Sequence, residues 1–354
     1  MKRTGRDPRR NPSRQPTSTG AANVVRSVNR KLRVAIVYGG RSGEHEISIR
    51  SAKAVMEQMD PEKYEKIAYF IDKEGKWSPC PILPEPGAQP HIDVVFPVLH
   101  GTFGEDGTVQ GLLELADLPY VGAGVLASSI SMDKEVMKRV CAERMLPVVD
   151  YVALRREQAS SDGIARRLPF PMFVKPANLG SSVGISKVRT CEQLAGAMRL
   201  AAEYDTKIIV ERGIIGRELE CAVLGNEAPV ASLPCEILPS REFYDYEDKY
   251  LLDKAETRVP ADLPPEKTEE LRRLAVECYR AMECEGMARV DFLLEAATGK
   301  LYINEINTIP GFTSISMYPK MWEQSGLPFP ALIDRLIELA LERHRRKKAT
   351  RFTR

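Results

Sequence analysis

Residues 286–307 read GMARVDFLLEAATGKLYINEIN, two apolar-rich runs flanking a short Gly-bearing turn. In a strand over 286–295 alternate side chains face opposite ways, so Arg289 and Asp291 share one face while Val290, Phe292 and Leu294 turn into a core. In a second strand over 301–307, Glu305 and Asn307 share a face by the same alternation. A hairpin centred on Thr298 then sets Asp291 opposite Glu305 and Arg289 opposite Asn307, with the two carboxylates about 5 Å apart. Like charges so placed repel unless one is protonated or a cation lies between them. A hard divalent ion, bound by one or two carboxylates plus substrate phosphates, resolves the conflict. An ion pair bridged by Arg289 on a solvated hairpin face resolves it as well. The loop that follows, NTIPGFTS (307–314), is polar and bears Gly and Pro where a buried strand ends, which points to a site.

Upstream, FVKPANLGSSVGISKV (173–188) ends an apolar strand at Lys175 and continues into a small-residue loop. There backbone N–H groups and the hydroxyls of Ser181 and Ser182 can approach an anion, although a plain surface hairpin has the same composition. Glu211 and Glu218 bracket a hinge-like stretch, ERGIIGRE, and either also reads as a surface acid. REFYDYEDKYLLDK (241–254) sets three tyrosines and a phenylalanine among charges, too polar for a core strand and suited to a lid or binding loop. At the front of the chain, LRVAIVY (32–38), the turn GGRSGEHE and a helical apolar pattern to Met59 read as strand, turn and helix. With further strands at 66–71 and 92–99, they predict an open parallel α/β sheet whose ligands bind beyond the strands' carboxyl ends. The loop HGTFGEDG (100–107) lies there, and its His100 suits either a base or a structural role.

A length of 354 residues suggests two or three compact units, and no apolar run approaches the roughly 20 residues that cross a bilayer. The net charge of +2 conceals a head at +8 over residues 1–31, which leaves the body at −6. That Arg-, Pro- and Ser-rich head is expected to be disordered, without a specific nucleic-acid or membrane role. Seven scattered cysteines and four histidines show no C-x-x-C or zinc spacing, so buried reduced thiols are expected. Gly75-Lys76 and Gly299-Lys300 are followed by Trp and Leu, read as hairpin turns, and exclude a P-loop. Gly39, Gly40 and Gly43 do not form the dinucleotide fingerprint, which disfavours a nicotinamide-dependent oxidoreductase.

Seven stretches in order, VYGGRSGEHEIS, LHGTFGEDGTVQG, MDKEVMK, KPANLGSSVG, YDYEDKY, RVDF and NEINTIPGFTSIS, resemble the D-alanine–D-alanine ligases of the ATP-grasp family, from about Val34 to about Leu341. Beyond the basic extension (1–31), where the sequence departs from the family, the resemblance implies an α/β fold, α+β in its C-terminal parts: an N-terminal α/β domain (32–130), a central ATP-grasp subdomain (131–214) and a C-terminal one bearing the metal and substrate site (215–348). It implies Lys134 and Lys175 at the phosphates of ATP, Glu211 at the adenine amino edge, Glu218 at the ribose, and a flap at Ser181 and Ser182. Asp291, Glu305 and Asn307 are expected to hold two Mg²⁺ or Mn²⁺ ions. Glu46 and His100 are expected beside the first D-alanine, and Arg289, Ser316 and the Gly311 amide beside the second. Lys249 is expected at the γ-phosphate, and Tyr250 in a hydrogen-bonded chain with Ser181 and Glu46. The implied enzyme is a cytoplasmic homodimer for peptidoglycan synthesis, with no nucleic-acid partner. The rivals are another ATP-grasp carboxylate–amine ligase, a D-alanyl-D-lactate ligase and a non-catalytic module of the same fold.

Overall fold

The computed structural model describes residues 30–158, 160–181, 183–238, 256–313 and 315–351. Most of the basic head, the whole aromatic loop 241–254 with Lys249 and Tyr250, and Ser182 lie outside the described residues. Lys31–Arg354 forms one compact unit. It contains three sheets, each built from one stretch of the chain.

The first sheet has the order β3-β2-β1-β4, with β1 Leu32–Gly39, β2 Tyr64–Ile71, β3 Trp77–Ser78 and β4 Val94–Pro97. β1 runs parallel to β2 and β4, whereas β3 folds back on β2 through the Gly75 hairpin. The sheet is thus parallel with one antiparallel edge. The helix His45–Gln58 follows β1 and buries Ile47, Ala52 and Val55, the face expected from helical spacing. The turn at Gly39 and the loop at His100 both lie at the carboxyl ends of the parallel strands, where the first sheet contributes to the site.

The second sheet, β5-β8-β6-β7, is antiparallel, with β5 Tyr151–Arg155, β6 Met172–Pro176, β7 Ser186–Val188 and β8 Lys207–Arg212. The helices Lys134–Glu143 and Cys191–Tyr204 accompany it in sequence. Asp133 caps the first of these by accepting hydrogen bonds from the amides of Glu135 and Val136, which places Lys134 at the start of the first turn.

The third sheet, β12-β11-β9-β13-β14 with β10 on β9, is also antiparallel. Its strands are β9 Gly216–Leu224, β10 Val230–Ala231, β11 Cys235–Leu238, β12 Glu256–Arg258, β13 Met287–Glu295 and β14 Leu301–Asn307. Between β9 and the end of β11 the chain forms two short strands, β10 and β11, and not one continuous strand. Pro234 lacks an N–H, and the Ser232 hydroxyl accepts the Ala222 amide at 3.1 Å, so the ladder is interrupted between them. β13 lies between β9 and β14, and Val290 and Phe292 are completely or almost completely buried on its far face. Burying each contributes roughly 1.5–3 kcal/mol. The helices Pro265–Ala281 and Phe329–Lys348 supply the apolar faces that cover this sheet and join it to the first.

The hairpin at the heart of the sequence reading differs from expectation in one respect. Its closing pairs, Leu294–Leu301 and Phe292–Ile303, are one position out of a register centred on Thr298, because the loop is Ala296–Gly299 with Gly299 at φ +67°. A bulge at Asn304 makes up the difference and returns Asp291 opposite Glu305 and Arg289 opposite Asn307.

Gly39 ends β1 at φ +92°, and a Cβ there would sit 2.1 Å from the Ile71 carbonyl oxygen. Gly39→Ala is therefore expected to destabilise the protein by more than the ~1–2 kcal/mol of left-handed strain alone. Urea-denaturation midpoints of the two proteins check this.

Candidate active site

A cavity of about 460 Å³ opens where β9, β13 and β14 meet the first-sheet loops and the turn after β6. The register puts Glu220 of β9, Asp291 of β13 and Glu305 of β14 side by side on three neighbouring strands, all lining this cavity. Arg289 resolves part of the repulsion. Its Nε and Nη2 fork onto the two oxygens of Asp291 at 2.7 and 2.6 Å, and its Nε lies 3.3 Å from Glu220. Burial would push the guanidinium pKa down, but the charges of Asp291 and Glu220 outweigh it and hold the group firmly protonated. The Arg289 ion pair foreseen as one way out is thus present, inside a cavity and not on an open face. Glu305 is met from the other side by Lys134 Nζ at 3.6 Å.

Asp291, Glu305 and Asn307 form an all-oxygen donor set, the chemistry of Mg²⁺ or Mn²⁺ and not of zinc. Each carboxylate has about four lone-pair positions, so the oxygens of Asp291 that meet Arg289 keep acceptor capacity. Asn307 Oδ1 accepts the Ile309 amide at 2.9 Å, which fixes the side chain. Among the described residues no group of three or more His, Cys, Asp or Glu is placed to hold a metal by itself. The set fits a hard cation whose remaining ligands come from phosphate.

Lys175, the last residue but one of β6, has its Nζ 2.6 Å from Glu211 Oε2 and 3.4 Å from Asn304 Oδ1, on the bulge beside Glu305. Glu211 is nearly fully buried and does not line the cavity, and its other oxygen lies 3.0 Å from Lys138 Nζ. With both oxygens facing lysines, the carboxylate stands behind Lys175 and outside the cavity lining. Burial would raise the Glu211 pKa, yet Lys138 and Lys175 hold it down to about 2. Glu218 lines the cavity from β9, two residues from Glu220 and so on the same face.

Ser181, at φ +52° in the loop after β6, donates a short hydrogen bond to Glu44. The acid that meets the flap is therefore Glu44 and not Glu46. Glu44 is the N-cap of the helix His45–Gln58 and lines the cavity, whereas Glu46 lies about 200° further round that helix. There it is exposed and pairs with Lys73 at 2.9 Å. Two acids one residue apart in GEHE gave no sequence signal to choose between them. The helix start decides.

His100 is buried, with Nδ1 3.0 Å from the Ile309 carbonyl and 3.7 Å from Glu105, and Nε2 3.1 Å from the Ser51 hydroxyl. Burial pulls its pKa down, but Glu105 and Glu44 more than compensate and leave it raised. Ser316 precedes the helix Met317–Gln324 at its N-cap position, and its hydroxyl turns back to accept the Thr313 amide at 2.9 Å. A Cβ on Gly311 would lie 2.8 Å from the Ser316 hydroxyl oxygen, so the backbone approaches closely there. Glu44, Glu105, Glu220, Lys138 and Asn304 were missed from sequence. Only Glu220, by alternation with Glu218, and Lys138, four residues from Lys134 on one helix face, carried a readable signal.

Family models described as the D-ala D-ala ligase C-terminus and N-terminus match residues 140–338, and 33–85 with 78–123. A D-alanine–D-alanine ligase of Solibacter usitatus is 76% identical over 92% of this chain and 100% of its own length. The chain belongs to the D-alanine–D-alanine ligase family. Its fold is the ATP-grasp fold, and it is a ligase. The solved D-alanine–D-alanine ligase of Coxiella burnetii superposes with TM-score 0.81 at 41% identity, covering 90% of this chain and 96% of that one. The VanG D-Ala:D-Ser ligase of Enterococcus faecalis does so at 0.80 and 36%, covering 88% and 100%. No described helix is long and apolar enough to cross a membrane.

Because Glu211 is ionised far below its ordinary 4.5, its contribution to stability is complete above about pH 4.5 and is lost as pH falls towards 2. Glu211→Gln is expected to flatten the decline in stability across that window, read from denaturation midpoints against pH. An unchanged slope would show that the carboxylate is not held by the two lysines.

Proposed function

We propose that this ligase joins two D-alanines into D-alanyl-D-alanine for peptidoglycan precursors, converting ATP to ADP and phosphate, in the cytoplasm and as a homodimer. The reading is carried by one observation: Lys134, Ser181, Asp291, Glu305 and Asn307, which suit metal-bound phosphates, share a single cavity with Glu44, His100, Arg289 and Ser316, which suit amino-acid ends. In this reading residues 32–130 supply the first amino-acid site, and 131–214 with 215–348 grip the nucleotide.

A carboxylate resists attack by an amine until one of its oxygens becomes a leaving group. The carboxylate oxygen of the first D-alanine attacks the γ-phosphorus of ATP, the bond to the bridging oxygen of ADP breaks, and an acyl phosphate forms. The neutral amine of the second D-alanine then adds to the acyl carbon. Phosphate departs, and the peptide bond remains. Glu44 balances the ammonium of the first D-alanine, with His100 beside it. Lys134 and Lys175 neutralise phosphate charge, Lys249 is assigned to the γ-phosphate, and Glu218 takes the ribose. Arg289, already oriented by Asp291 and Glu220, and the Gly311 amide face the oxyanion of the addition step. Arg289 and Ser316 also hold the second carboxylate. Asp291, Glu305 and Asn307 would hold two Mg²⁺ or Mn²⁺ ions, which supply Lewis-acid stabilisation of phosphoryl oxygens when bound. Water would hydrolyse an acyl phosphate, so the site needs a cover, a role that suits the loop at Ser181, which is tied to Glu44.

A coupled ADP-release assay against a panel of D- and L-amino acids and D-lactate tests the proposal. ADP formation should require D-alanine; equal release without it, or a marked preference for another acid or amine, would overturn the assignment. Glu305→Gln is expected to lower turnover by on the order of 100-fold or more while the protein stays folded by circular dichroism. Glu44→Gln should raise the KM for D-alanine by roughly tenfold or more, as expected from loss of a charged contact. Glu46→Gln should leave it near the parent value, and the reverse order would restore Glu46 to the site.

A further inference from the structure

Two lysines converge on the single carboxylate of Glu211; neither lines the cavity itself, but only Lys175 touches a residue that does. Lys175 Nζ also touches Asn304, whose neighbour Glu305 lines the cavity. Lys138 comes from the opposite side on the helix Lys134–Glu143, is fully buried, and touches no other acid among the described residues. Its ammonium lies 3.0 Å from Glu211 Oε1 but off the line of a hydrogen bond. The contact is charge against charge. Glu211 therefore has one cation more than it needs.

We infer that Lys138 is a positioning residue for nucleotide binding: it is the permanent counter-ion of Glu211 that makes Lys175 transferable from that carboxylate to phosphate. This rests on the reading that Lys175 serves ATP. A buried carboxylate stripped of its only cation is strongly disfavoured. With Lys175 alone, each movement of that lysine toward a phosphate would strand Glu211. With Lys138 in place, Glu211 stays neutralised while Lys175 moves, and the lysine is delivered without leaving an orphan charge. The second cation also explains why a fully buried lysine is tolerated in the interior, where ordinary packing would favour an apolar side chain.

The test uses the full-length protein, with Mg²⁺-ATP and adenosine as separate probes in equilibrium binding. Lys138→Met should weaken ATP on the order of 10- to 100-fold, since release of Lys175 now exposes an unpaired buried charge. Adenosine, which carries no phosphate for Lys175, should change by less than about threefold. Adding Glu211→Gln to Lys138→Met removes the stranded carboxylate and should recover most of the lost ATP affinity, a coupling opposite in sign to two independent losses. Equal weakening of ATP and adenosine, unchanged ATP affinity, or a double variant no better than the single one would each overturn the role. If Lys138→Met does not fold, the neutral double variant decides: ATP binding near the parent level supports the inference, and its loss overturns it. Failure of the parent protein to bind ATP would instead refute the functional reading, not this pairing.

Discussion

Acidic side chains on adjacent strands cannot all stay ionised at van der Waals range unless cations stand among them, and this constraint organises the molecule. Glu220, Asp291 and Glu305 occupy matched positions on β9, β13 and β14. Arg289 reaches two of them from within the row, and Lys134 reaches the third from the start of a helix belonging to the second sheet's segment. The cavity is consequently a place where negative charge is held by partners drawn from separate parts of the chain. A polyanionic substrate with its metal ions enters an arrangement that already contains both signs, close together and largely shielded from water, where electrostatic interactions are strong.

The cations have distinct occupations. Arg289 is committed to carboxylates and is oriented by them, which suits a fixed hydrogen-bond donor better than a mobile one. Lys134 is anchored by donating to the Leu179 carbonyl at 2.8 Å while facing Glu305. Lys175 and Lys138 share Glu211, one beside the cavity and one behind it. On the first-sheet side, His100 and Glu105 form a buried pair against Ser51 and Ile309, tying the loop after β4 to the segment that follows β14. Ser181 and Glu44 tie the flap to the N-terminus of a helix in that same sheet's segment. These links turn three separately folded sheets into one site.

Much of this could be read from local pattern. The period of two in RVDF and NEIN placed Arg289 and Asp291, and Glu305 and Asn307, on common faces. Gly75 and Gly299 marked hairpins, and the front of the chain announced a parallel sheet. Even the pairing of Asp291 with Glu305 was reached, although through a turn one half-step out of place, compensated by the Asn304 bulge that no periodicity reveals. The choice of Glu46 over Glu44 failed because both acids satisfy the same short pattern. Which of them faces the cavity depends on where the helix starts, and that is a property of backbone packing. For Glu211, which only the family resemblance set at the adenine edge, the sequence carries no record of the two lysines that meet it from a strand and a helix 36 and 73 residues away.

By itself, then, the chain of residues determined the sheets, their faces and the identity of the charged groups, because alternation and turn chemistry operate over a few neighbouring positions. The tertiary structure alone decided which opposite charges meet: Arg289 with Glu220, Lys134 with Glu305, Lys138 and Lys175 with Glu211, Ser181 with Glu44. Such pairings bring distant segments to within a few ångströms. Their energies depend on burial and orientation, which exist only once the sheets have packed.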